Sequence, residues 1–114
     1  MKVGFIGLGN VGGKLAWSLL RNNFDLTVRD LDKNLTQSFK NSGAKVANSP
    51  KELAEQVDLI ITCLPSPKIC AEVMEASDGV INGLSENKIW LEMSTTDEAE
   101  IKRISKKIID KKAI

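Results

Sequence analysis

The chain has 114 residues, enough for one domain with a real core. Sixteen basic residues against 15 acidic ones leave a net charge of +1, so the balance does not call for nucleic acid as a partner. No apolar run approaches a membrane span, and the apolar start is too short and too glycine-rich for a signal peptide.

The chain contains no histidine, which excludes zinc sites of the Cys/His kind and Ser-His-Asp triads. Cys63 and Cys70 fall in a predicted strand and a predicted helix and lack C-x-x-C spacing. They read as buried or partly buried free thiols of a reducing compartment, the cytoplasm, with the mitochondrial matrix left open.

In chain order, Lys2 to Ile6 reads as a short strand, and Asn10 to about Asn22 as a helix. That helix would present Val11, Leu15, Ala16, Ser18, Leu19 and Leu20 as one stripe. Leu26 to Arg29 is a second strand. A helix follows from about Leu31 to Asn41, with Leu35 and Phe39 spaced i, i+4 and Gly43 as its stop. Lys45 to Ala47 is a short strand. Ser49-Pro50-Lys51-Glu52 is a capping box with proline at the first helical position, opening a helix to Gln56.

Leu59 to Leu64 is a continuous apolar run, as a central parallel strand requires, and Pro65 and Pro67 end it. The spacing predicts a helix over Pro67 to Ala76, then a loop through Gly79 to Asn87 with room for a helical turn. Lys88 to Glu92 is a fifth strand, and Asp97 to Lys112 a last helix. Lys102, Arg103, Lys106, Lys107, Lys111 and Lys112 read as its solvated face near the dipole's negative end.

Alternating strands and helices predict a Rossmann-type, doubly wound parallel α/β sheet with right-handed crossovers. Its ligand belongs at the carboxyl ends of the strands. Gly7, Gly9 and Gly12 form G-x-G-x-x-G where the first strand ends. Gly7 permits the tight turn, Gly9 lets a pyrophosphate approach the backbone, and Gly12 lets helix pack on strand. The N–H groups and positive dipole end of the helix would face the phosphates. Asp30, eighteen residues past Gly12, stands where a ribose-binding acid should be. The strand before, the helix after and this acid together favour dinucleotide binding over a merely structural glycine turn. Leu64-Pro65 and Glu92 to Thr95 should converge on the same edge.

Three segments together resemble a known family: Gly4-Phe-Ile-Gly-Leu-Gly-Asn-Val-Gly12, Cys63-Leu-Pro-Ser-Pro67 and Leu91-Glu-Met-Ser-Thr-Thr96. They resemble the N-terminal domain of the β-hydroxyacid dehydrogenases, which include 3-hydroxyisobutyrate dehydrogenase, tartronate semialdehyde reductase and, more distantly, 6-phosphogluconate dehydrogenase. The resemblance spans the whole chain. It implies that Gly7, Leu8, Gly9, Asn10, Val11 and Gly12 hold the pyrophosphate and that Leu64 and Pro65 lie against the cofactor. It also implies that Thr95 lies by the nicotinamide and Ser94 by the substrate. Glu92 stands where the family usually has aspartate, keeping the charge with a longer reach. Pro65 and Pro67 would serve equally as strand terminators. Thr95-Thr-Asp-Glu98 is itself a capping box, so Thr95 would also satisfy helix N–H groups.

The resemblance further implies a catalytic lysine, in a lysine-x-x-x-asparagine motif, and a serine-glycine-glycine substrate loop. No lysine here is followed by asparagine four residues on. The expectation is therefore a cofactor-binding domain over 1–114, truncated before a C-terminal helical domain where a sixth strand should begin, with no catalytic residue of its own. The parent would transfer hydride between NAD, with NADP as alternative, and a small β-hydroxy acid. It would form a homo-oligomer through the helical domain and would bind neither nucleic acid nor membrane. The rival reading is a non-catalytic dinucleotide-binding or sensing module. Asp30 followed by Leu31 favours NAD over NADP; Arg29 and Lys33 are nearby cations, and strand alternation should point Arg29 away from Asp30.

Overall fold

A computed structural model of the chain describes residues 1–93 and 98–114. Five strands form one parallel sheet in the order β3-β2-β1-β4-β5: β1 (Lys2–Ile6), β2 (Asp25–Arg29), β3 (Lys45–Val46), β4 (Leu59–Thr62) and β5 (Ile89–Glu92). Helices α1 (Asn10–Arg21), α2 (Lys33–Asn41), α3 (Pro50–Gln56), α4 (Pro67–Glu75) and α5 (Glu98–Asp110) connect and cover it, with a 3-10 turn at Val80–Gly83. The doubly wound expectation holds.

Alternation along the strands divides the core in two. Val3, Phe5, Leu26, Val28 and Ile61 pack with Ala16 of α1 and Phe39 of α2. Ile6 and Ile60 face the opposite way, onto Leu53, Met74 and Ile104 of α3, α4 and α5. Across the first layer, Trp17 stacks on Phe39 with ring centroids 4.2 Å apart.

Several boundaries move for local reasons. Helix α2 begins at Lys33, not Leu31, because the Asp32 carboxylate accepts from the Asn34 N–H and so makes Asp32 the cap. Ser66 caps α4 as Ser49 caps α3, each followed by proline. Strand β4 stops at Thr62, so Cys63 lies just past it. The α1 stripe is also rotated from expectation: Gly12, Gly13 and Ala16 are buried, while Val11 is 65% exposed. Small residues let the helix axis come close to the sheet, and Leu15, Leu19 and Leu20 pack partly buried beside them.

The six basic residues near the end are all exposed. Arg103 and Lys107 both pair with Glu75, tying α5 to α4. After α5, the Ile114 N–H donates to Lys88 and the Trp90 N–H donates to Ile114, laying Ile114 parallel beside β5.

Candidate functional site

The carboxyl ends of β1, β2 and β4 meet at Gly7. Its N–H donates to the Arg29 carbonyl at 3.1 Å, and the Cys63 N–H donates to the Ile6 carbonyl at 3.0 Å. Gly7 has φ +101°, and a Cβ there would sit 2.1 Å from the Cys63 carbonyl oxygen. Only glycine accepts both the conformation and the crowding. A Cβ on Gly12 would sit 2.0 Å from the Gly7 carbonyl oxygen, so α1 lies directly against the turn.

Gly9 is different. A Cβ there would meet nothing within 4 Å, and its φ of −67° and ψ of −164° suit any residue. Neither fold nor backbone requires glycine at this position. Gly9 is also the N-cap of α1, and no side chain caps the helix or brings an acid into its first turn. The first N–H groups of a helix have no carbonyl partner within it. The space over Gly9 thus adjoins the N-terminal N–H groups of α1, a position that favours an anion. Asn10 and Val11 are exposed at its rim, whereas the Leu8 side chain is buried. Leu8 offers no N–H to a ligand, because its N–H donates to the Asp30 carboxylate at 2.8 Å.

Asp30 is partly buried, and its other oxygen accepts from the Asp32 N–H at 2.9 Å. A carboxylate has about four acceptor positions, so two remain for a sugar diol. Arg29 and Asp30, at the end of β2, both line a cavity with residues of α2 and of the segment after β3.

Leu64 is half-buried and Pro65 exposed, just past the end of β4 beside the turn. Ser94 and Thr95 lie outside the described residues.

Glu92 has surroundings that sequence reasoning missed. Thr62, its cross-strand partner, is fully buried and donates its hydroxyl to Glu92 Oε2 at 2.6 Å. Trp90 Nε1 donates to Thr62 Oγ1 at 2.9 Å, and the Cys70 thiol donates to Glu92 Oε2 at 3.1 Å. The added methylene of glutamate over aspartate serves this reach into α4. Burial, and then the Glu92 carboxylate, push the Cys70 thiol up to about 12. Burial and Glu92 also raise Cys63. Both therefore remain thiols at neutral pH.

Residues 2–114 match the family described as the NAD binding domain of 6-phosphogluconate dehydrogenase. The chain belongs to that family. It is 36% identical over 106 residues to mouse mitochondrial 3-hydroxyisobutyrate dehydrogenase, and 32% identical to the human one. Both alignments take in 93% of this chain and 32% of the relative, so the chain spans about a third of the curated relatives it matches. Among solved structures, an imine reductase from Pseudomonas superposes with TM-score 0.88 at 26% identity, over 99% of this chain and 38% of that one. A Salmonella typhimurium 3-hydroxyisobutyrate dehydrogenase does so with TM-score 0.89 at 24% identity, over 99% and 39%. The chain is thus an NAD-binding domain of that family. No helix among its described residues is long and apolar enough to cross a membrane.

Proposed function

We propose that residues 1–114 are the dinucleotide-binding domain of an oxidoreductase that moves hydride between nicotinamide and the carbinol carbon of a small β-hydroxy acid. The observation that carries the cofactor site is the open space over Gly9 at the uncapped start of α1, with Asp30 fixed beside it. The pyrophosphate would lie over Gly9, held by the first N–H groups of α1, with Gly7 and Gly12 shaping the turn. The adenosine ribose would take the free acceptor positions of Asp30. Leu64 and Pro65 would border the cofactor, Thr95 the nicotinamide and Ser94 the substrate.

The bound nicotinamide supplies the hydride chemistry, and these residues bind and orient it. The substrate class is supported by the names of the mouse and human relatives. A helical domain outside these residues would carry the proton-transferring lysine, the substrate loop and the oligomer contacts. The compartment would be the cytoplasm, or the mitochondrial matrix as in those relatives. A protein uniting this domain with its helical partner should reduce NAD with 3-hydroxyisobutyrate, glycerate or 3-hydroxypropionate. Absence of NADH formation with every one of them would remove the substrate assignment.

A further inference from the structure

Residues 63–66 join β4 to α4 and carry Leu64 and Pro65. Glu92, on the neighbouring strand β5, reaches both sides of this loop with one carboxylate oxygen. Before the loop, the buried Thr62 hydroxyl donates to Glu92 Oε2 at 2.6 Å. After it, the Cys70 thiol donates to the same oxygen at 3.1 Å. The Cys70 N–H in turn donates to the carbonyl of Ser66, the last residue of the loop, at 3.0 Å. A hydroxyl has a single proton to donate. Thr62 Oγ1 accepts from Trp90 Nε1 at 2.9 Å, and its own proton is committed to Glu92. The Met93 N–H secures the Thr62 carbonyl at 2.9 Å, and the Glu92 carboxylate brings α4 into the same grip.

We infer that Glu92 is a positioning residue, which staples loop 63–66 where it meets the nicotinamide half of the dinucleotide. The inference rests on the cofactor placement proposed above. With the adenosine ribose at Asp30, past the end of β2, and the pyrophosphate over Gly9, the sheet order β2-β1-β4 leaves the end of β4 to the other half. The loop stands there. A Cβ on Gly7 would meet Leu64 Cδ2 at 3.2 Å, so Leu64 lies against the glycine turn. A short loop held at both ends has lost much of its freedom before the ligand arrives, so less ordering opposes binding. Glu92 acts through Thr62 and Cys70.

Calorimetric titrations with NADH and with ADP-ribose, which lacks the nicotinamide, test this on the parent, Glu92→Ala and Glu92→Gln. In the parent, NADH should bind about fivefold or more tightly than ADP-ribose. Glu92→Ala removes both arms of the staple. Its NADH advantage should vanish, while its ADP-ribose affinity stays within about twofold of the parent. Glu92→Gln keeps an acceptor oxygen at the same reach and should retain most of the advantage. Melting curves show which variants fold. If Glu92→Ala does not, Thr62→Val and Cys70→Ala each remove one arm, and each should lower the ratio of the two affinities. A merely structural role would lower the melting temperature and leave that ratio unchanged. The inference is overturned if folded Glu92→Ala, or both single-arm variants, keep the NADH advantage. It is equally overturned if ADP-ribose affinity falls as far as that of NADH, if Glu92→Gln loses as much as Glu92→Ala, or if the parent binds both ligands alike. In each case ADP-ribose binding to the parent leaves the cofactor placement standing. If neither ligand binds the parent, that placement falls and takes the inference with it.

Discussion

The Leu8 N–H donates to the Asp30 carboxylate across 2.8 Å, joining the glycine turn to the end of β2. The acid therefore fixes the turn, beside the ribose position proposed for it. Asp30→Ala should lower stability by about 1–3 kcal/mol, since it orphans a partly buried N–H. It should also weaken NADH binding by about tenfold or more, a loss equal to one good charge-assisted hydrogen bond. Urea unfolding and NADH titration of the same sample separate the two effects. A variant that unfolds normally but binds weakly would confine Asp30 to the ligand.

Gly12 should behave as a folding residue. A Cβ there meets the Gly7 carbonyl at 2.0 Å, and that carbonyl belongs to backbone that cannot step aside. Gly12→Val should cost about 3 kcal/mol or more by denaturant unfolding.

The Glu75 carboxyl is held down to about 2, from an ordinary 4.5, by hydrogen bonds from Arg103 and Lys107. A folded value below the unfolded one gives stability that is present above 4.5 and is lost as the pH falls toward 2. Both partners are largely exposed, which limits the contribution to about 1 kcal/mol or less. Thermal melts across that acid range should show the loss in the parent and a flatter profile in Glu75→Gln.

Cys70 should resist alkylation at neutral pH until the chain unfolds, while half-buried Cys63 reacts slowly. The Cys70 thiol is raised from 9.0 to about 12 in the fold. Its contribution to stability is therefore intact below 9 and declines as the pH climbs from 9 toward 12. Glu92→Gln should make Cys70 easier to ionise, which a thiolate absorbance titration of the folded variant would register.

The chain alone should show no dehydrogenase turnover. Exchange of the substrate oxygen's proton contributes about 10²–10⁴-fold in rate, and no histidine is present to perform it. Lys68, the lysine nearest the strand ends after β4, is exposed on the start of α4. NADH formation from 3-hydroxyisobutyrate by the purified 114-residue chain would place the acid–base group within it.

What the sequence made legible was local. Gly7 and Gly12 act through sterics within a single turn, and Ser49-Pro50 caps the helix that immediately follows. The apolar run from Leu59 marks a strand covered on both faces. What it hid was tertiary. The Thr62, Trp90, Cys70 and Glu92 contacts join residues up to thirty positions apart with no spacing signal. Likewise Val11 follows the helical period, yet the glycine pair beside it decides which side meets the sheet.

The central claim is that glycine stands at position 9 for a ligand and not for the fold. Titration of NADH into the parent and into Gly9→Val, with melting temperatures recorded for both, tests it most directly. Nothing lies within 4 Å of the added carbon and the backbone suits valine, so the two proteins should melt together. NADH affinity should nevertheless fall by at least about tenfold, because the branched side chain fills the space over the start of α1. Equal affinity in a normally folded Gly9→Val would contradict the site.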